Sequence, residues 1–73
     1  MQKILFETFK EKKDNSGNWE YVIGSTKEWF TQMGAVSYAQ GLRFTLKENE
    51  RFRVVDTQNL TTILTVGANY EEL

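Results

Sequence analysis

The stretch from Leu42 to Val66, LRFTLKENERFRVVDTQNLTTILTV, decides the fold class because apolar and polar residues alternate along much of it. Alternation over about four to eight residues is typical of a β-strand with one buried face. The pattern predicts three strands, at residues 42–47, 51–56 and 60–66, separated by two short turns. We expect these strands to form an antiparallel meander.

The register of this meander follows from the rule that opposite residues of an antiparallel pair share one face. Leu46 is therefore expected opposite Phe52, and Asp56 opposite Leu60. The second turn then places Asn59 where a left-handed backbone conformation is favoured. The same register predicts a buried face made of Leu42, Phe44, Leu46, Phe52, Val54, Leu60, Leu64 and Val66.

The opposite face of the meander is the first candidate binding surface. Arginine-rich surfaces of this kind bind phosphates or acidic protein surfaces. Phe44 and Phe52 belong to the buried face, so they are not expected to stack on bases here. The alternative interpretation is a solvated sheet face without a ligand. Four basic and two apolar residues share the candidate surface, namely Arg43, Lys47, Arg51, Arg53, Val55 and Ile63.

Two strands and one helix are predicted ahead of the meander. Residues 3–10 and 19–23 are rich in aromatic and β-branched residues and flank a polar turn, which indicates a hairpin. A short helix is predicted over residues 26–33, where Ser25 begins a capping box. Gly34 suits the left-handed end of that helix.

The predicted element order is β-β-α-β-β-β in a single small domain, 1–73, with an acidic tail at residues 70–73. This order favours a mainly-β α+β fold, in the form of a small curled antiparallel sheet or an SH3- or OB-like barrel of about five strands. The alternative architecture is an open sheet with the helix on one side.

The composition argues against most kinds of site chemistry. The 73 residues include no His, no Cys and no Pro, so His and Cys ligands, nucleophiles and bases are absent. Paired-carboxylate catalysis needs a desolvated cleft, whereas the acids here lie mainly in predicted turns and in the tail. We therefore expect no catalytic residues, no cofactor, no metal site and no enzymatic activity.

The aromatic residues provide a second candidate binding set. The chain has ten of them, counting 5 Phe, 3 Tyr and 2 Trp, and Trp and Tyr are enriched at protein interfaces. The set consists of Trp19, Tyr21, Trp29 and Tyr38. Core positions are the expected alternative for the two tryptophans, while Tyr38 suits either the core or an interface.

These features predict a non-enzymatic protein-interaction module that binds a protein partner through a sheet face or edge. An adaptor, an inhibitor or an assembly subunit, such as viruses and mobile elements encode, would fit this description. One alternative is a β-domain that contacts nucleic-acid phosphates weakly, because the net charge of −1 provides no strong attraction. Another alternative is a homo-oligomeric structural subunit. The sequence lacks a signal-peptide pattern and an apolar run of about 18 residues, so we expect a cytoplasmic protein without membrane contact.

Overall fold

The computed structural model describes residues 3–73, which form one antiparallel sheet, one α-helix and one 3-10 helix. The helix α1 (Gln32–Gly41) precedes the 3-10 helix at Arg43–Thr45. The strands are β1 (Phe6–Lys13), β2 (Trp19–Tyr21), β3 (Lys27–Trp29), β4 (Glu50–Asp56), β5 (Thr61–Gly67) and β6 (Glu71–Glu72). The predicted mainly-β α+β class and its order, with the helix between N-terminal strands and three C-terminal strands, are confirmed. Met1 and Gln2, part of the predicted domain, lie outside the described range.

β1 is the central strand of this sheet. It pairs with β4 along one side, while β2 and β3 occupy successive parts of its other side. The strand order is β2-β1-β4-β5-β6, with β3 also next to β1. Over residues 3–73 no pairing joins β6 to β2 or β3, so the two edges of the sheet do not meet. The sheet is therefore open, and the predicted barrel closure does not form within this range.

The strand predicted at residues 42–47 is wrong, because Leu42 caps the C-terminus of α1 and Arg43–Thr45 form the 3-10 helix. Leu42 packs against the core and Leu46 lies within it. Their spacing of four residues fits a helical path as well as an alternating strand. Phe44 lies between them and is 80% exposed, so its predicted core position is also wrong. β4 consequently pairs with β1, and the predicted pairing of Leu46 with the next strand does not occur.

The helix begins later than predicted, because residues 26–33 contain β3. Thr31 rather than Ser25 is the N-cap, and its Oγ1 accepts a hydrogen bond from the Gly34 N–H at 3.1 Å. Gly34 lies in the first turn instead of ending the helix. A Cβ at this position would approach Thr31 Oγ1 to 3.0 Å and the Trp29 ring to 3.1 Å. Glycine thus allows α1 to start directly against β3.

Ser25 organises the turn between β2 and β3 instead of capping the helix. Its Oγ accepts a hydrogen bond from the Lys10 backbone N–H at 2.9 Å and donates one to the Val22 carbonyl at 2.6 Å. Gly24 in the same turn has a φ of 83°, a left-handed conformation that favours glycine. The turn keeps β2 and β3 on the same side of β1.

One face of the sheet packs against α1 to form the core. Trp29 and Tyr38 pack on this core, and the indole Nε1–H of Trp29 donates to the buried Thr8 Oγ1 at 3.0 Å. Five predicted core residues are confirmed as buried, while Leu42 is partly buried and two others are exposed. The buried apolar residues are Ala35, Ala39, Leu46, Phe52, Val54, Leu64 and Val66.

The turn between β4 and β5 contains four residues, one more than the predicted pairing of Asp56 with Leu60 would leave. Asp56 pairs with Thr61, so the predicted pairing of Asp56 with Leu60 is wrong. Leu60 has a φ of 55° and is 84% exposed, which removes it from the core. Asn59, expected in that left-handed conformation, instead donates from its Nδ2 to Asp56 Oδ2 at 3.0 Å.

Replacing Thr31 with Ala is expected to lower the free energy of unfolding by about 1 kcal/mol, because the Gly34 N–H loses its side-chain acceptor. Thr31→Ser keeps the hydroxyl and should remain close to the parent protein. Urea denaturation followed by tryptophan fluorescence measures both effects. Equal stability of the Ala variant and the parent would rule out Thr31 as an energetically important cap.

Asp56 is expected to make this turn sensitive to acid. Backbone N–H groups of Gln58 and Asn59 donate to its carboxylate at 2.8 and 3.2 Å and lower the pKa of Asp56 below its ordinary value. The resulting stabilisation is present above the unfolded-state pKa of about 3.9 and is lost as the pH falls through the folded-state pKa. Asp56→Asn should therefore reduce the acid-dependent decrease in the free energy of unfolding. An identical pH profile for variant and parent would contradict this expectation.

Candidate aromatic and arginine binding surface

The face of the sheet opposite α1 carries a layer of aromatic and charged side chains. β1, β2 and β4 each contribute two residues, and the strand register brings them to this one face. Glu11 lies opposite Tyr21 on one side and Arg51 on the other, while Phe9 lies opposite Arg53. The outer-face layer is defined here as Phe9, Glu11, Trp19, Tyr21, Arg51 and Arg53.

Glu11 lies at the centre of the outer-face layer and is only 7% exposed. Its Oε1 accepts a hydrogen bond from Arg51 Nε at 2.7 Å, and its Oε2 accepts one from Arg53 Nη1 at 3.3 Å. Arg53 Nη2 also donates to Thr62 Oγ1 on β5. One carboxylate on β1 therefore positions two guanidinium groups on β4.

Aromatic rings cover the same two guanidinium groups. The Cζ of Arg51 lies 4.1 Å from the centroid of the Trp19 ring, and that of Arg53 lies 5.5 Å from the centroid of Phe9. Phe9 in turn meets Tyr21 edge-on, with 5.7 Å between ring centroids. Such cation–π contacts contribute about 0.5–1 kcal/mol each at exposed sites. The rings and the cations are thus ordered together.

Charge is distributed unevenly along the outer face. Lys13 adds a third cation beside the layer, with its Nζ 5.3 Å from the centroid of Trp19. Lys13, Arg51 and Arg53 against Glu11 give this region three positive charges and one negative charge, a net +2. Elsewhere on the outer face, Glu7 of β1 lies opposite Glu28 of β3. An acidic partner would therefore be attracted to the Trp19 end.

The structure brings together only some of the predicted binding residues. Arg51 and Arg53 belong to the outer-face layer, and Val55 follows them on the same face of β4. Ile63 lies where a β-bulge shifts the register of β5, and it packs against the core. Tyr38 also packs against the core, on the opposite face of the sheet.

Arg43 and Lys47 do not join the other two basic residues, because residues 42–47 do not form a strand. Arg43 lies in the 3-10 helix and forms an ion pair with Glu71 of β6 at 2.8 Å. Lys47 lies in the loop before β4, where its backbone N–H donates to Glu50 Oε1 at 2.8 Å. Part of the predicted acidic tail therefore forms β6, and Glu71 in this strand forms a salt bridge.

The sequence contained a signal for the β1 and β2 part of the layer. Phe9, Glu11 and Lys13 recur at every second position, and Trp19 and Tyr21 continue one face across the hairpin turn. The expected core position of Trp19 is wrong, since its half-buried ring covers an arginine on the outer face. Aromatic residues therefore do accompany the basic ones, contrary to expectation, and they come from β1 and β2 rather than from the strand that carries the arginines.

Comparisons with protein-family models, with curated proteins and with solved structures found no match to this chain. Within residues 3–73, no group of three or more acidic side chains is arranged to hold a metal ion. The helices in that part of the chain lack the length and apolar character required to cross a membrane. The arrangement of the outer-face layer is the basis for its functional interpretation.

Glu11→Gln is expected to lower the free energy of unfolding by about 1–2 kcal/mol, because both arginines lose a charged acceptor and all three groups are partly desolvated. The loss should be smaller at high salt, where the original ion pairs are screened. Urea denaturation at low and high NaCl concentrations measures it.

Glu7→Gln is the matched control, since Glu7 lies on the same face of β1 but opposite the like-charged Glu28. Removing that charge should leave the protein as stable as the parent or slightly more stable. If Glu11→Gln were equally harmless, the Glu11 carboxylate would not organise the outer-face layer.

Proposed function

We propose that this protein is a non-enzymatic interaction module that binds an acidic surface of a protein partner through the outer-face layer. The observation that carries this proposal is the contact between the Trp19 ring and the Arg51 guanidinium, 4.1 Å apart, which Glu11 braces from β1. Trp, Tyr and Arg are the residue types most enriched among energetically dominant interface residues. An adaptor, an inhibitor or an assembly subunit would use such a surface.

The order within the layer supports a binding role. Immobilising a flexible side chain on association costs about 0.5–1.5 kcal/mol. Glu11 already restrains Arg51 and Arg53, so a partner would meet part of this surface in a prepared conformation. Tyr21 is 48% exposed and offers apolar surface beside them. Because these side chains are already ordered, less conformational entropy would be lost when a partner binds.

The charge of the layer supports an acidic partner. Arg51 contacts Glu11 through Nε, and a guanidinium has further N–H donors on its two Nη atoms. A carboxylate of the partner would accept these donors from outside the sheet. The neighbouring Lys13 adds to the attraction, and complementary charge accelerates encounter and selects the orientation of docking.

Binding of single-stranded nucleic acid is a second candidate function, and one specific observation favours it. Trp19 and Tyr21 share a face with two arginines, and proteins that bind single strands combine aromatic surfaces with cations in this way. Glu11 opposes this function because it neutralises part of the local positive charge. The net charge of −1 opposes it as well.

Affinity capture with matched variants tests the protein-binding proposal. The parent, Trp19→Ala, Arg53→Ala and Lys12→Ala would each be immobilised and exposed to nuclease-treated extract of the source cells. Lys12→Ala is the control because Lys12 is exposed and faces away from the layer. At least one protein should be retained by the parent and the control but reduced about tenfold or more by both layer variants. Its retention should also fall with increasing salt.

The same variants distinguish the alternatives. Fluorescence anisotropy with a labelled oligo-dT strand at low salt should show no binding if the layer recognises a protein. Binding that weakens on Trp19→Ala and Arg53→Ala would support the nucleic-acid function instead. Capture of another copy of this chain would support a homo-oligomer. If folded layer variants retained the same proteins as the parent, the proposed surface would be wrong.

A further inference from the structure

A cleft on the helix-covered side of the sheet has features that the outer-face layer does not explain. It lies between β1, the turn before β3, α1 and the 3-10 helix, and its volume is about 460 Å³. Small-molecule sites usually measure roughly 300–1,000 Å³ and combine apolar walls with a few polar groups. The cleft has the size of such a site.

Two aromatic rings and two lysines line this cleft in one continuous series of contacts. The Nζ of Lys10 lies 5.8 Å from the centroid of Phe52, and the Nζ of Lys27 lies 5.1 Å from that of Tyr38. The Phe52 and Tyr38 centroids are themselves 6.0 Å apart. The rings therefore form an apolar wall with a cation near each ring.

The cleft is lined by two lysines and by no acidic side chain. Its other lining residues are polar or apolar. Within residues 3–73, neither Lys10 nor Lys27 forms an ion pair. A concave site with like charges and an apolar wall concentrates positive potential. That potential favours an anion, although the whole chain carries a net charge of −1.

The apolar lining of the cleft favours an organic anion over an inorganic one. Tyr38, Leu42 and Phe52 are among the residues that line it. Their side chains provide surface that the apolar part of a ligand can cover.

We propose that the cleft binds a small organic anion. Its carboxylate or phosphate group contacts Lys10 and Lys27, and its apolar body packs on Tyr38 and Phe52. Binding is non-covalent. It uses none of the residues of the outer-face layer, so the two proposals stand or fall separately.

Titration of the isotope-labelled protein with phenyl phosphate, followed by amide NMR shifts, tests this inference. Benzoate tests whether a carboxylate can replace the phosphate group. Inorganic phosphate provides the anion without the ring, and phenol provides the ring without the anion. We expect saturable shifts within residues 24–27 and 42–45 for phenyl phosphate, benzoate or both. Inorganic phosphate and phenol should bind at least about threefold more weakly, because each lacks one class of contact.

Charge variants supply the matched comparison. Lys27→Gln and Lys10→Gln should each weaken binding about fivefold or more, whereas Lys27→Arg keeps the charge and should retain it. Lys12→Gln removes a charge from the same face of β1 outside the cleft and should change affinity less than about twofold. Lys27 is exposed, so its variants are expected to fold even if Lys10→Gln does not.

Four results would overturn the inference. These are the absence of saturable shifts, shifts centred on the outer-face layer, binding of phenol as tight as that of phenyl phosphate, or equal weakening by Lys12→Gln and Lys27→Gln.

Discussion

The pairing of β1 with β4 is the interaction on which the rest of the structure depends. Side chains of β1 alternate between the two faces of the sheet, so one strand supplies both the core side and the outer side. Thr8 accepts a hydrogen bond from Trp29 on the helix-covered face, and Lys10 reaches the cleft there. Phe9 and Glu11 contact the arginines of β4 on the opposite face. Both candidate binding sites therefore depend on the same strand register.

The outer-face layer contributes to the stability of the fold and is also the surface of the proposed binding function. A chain of 73 residues buries only about 60–65% of its unfolded surface, so its core alone provides limited stabilisation. Ion pairs and ring contacts around Glu11 add stabilising interactions on the other side of the sheet. In the proposed function, the same contacts would order Trp19 and Arg51 before a partner binds. A substitution in this layer must therefore be judged by its effect on folding before its effect on binding.

Local patterns predicted the fold class, β4 from the alternation of apolar and basic residues, and β5 from its run of β-branched residues. They failed over residues 42–47. Leu42 and Leu46 are four residues apart, and this spacing fits a helical path as well as alternate positions of a strand. The helix was predicted too early in the chain, because a glycine such as Gly34 is typical of a helix C-terminus. In the structure Gly34 lies in the first turn of α1, where its close approach to Trp29 leaves little room for a side chain. Arg51 was identified as a candidate, but its partner Glu11 lies 40 residues earlier. Contacts between residues so far apart in sequence depend on which strands are neighbours in the sheet, and local sequence patterns do not specify this.

A NOESY spectrum of the isotope-labelled protein tests the β1–β4 pairing most directly. We predict backbone contacts between Thr8 and Val54 and between Lys10 and Phe52, as the strand register requires. Contacts from the Trp19 indole to the Arg51 side chain should accompany them. Backbone contacts that instead join residues 42–47 to β4 as a hairpin would contradict the account, because Glu11 would then no longer lie between the two arginines.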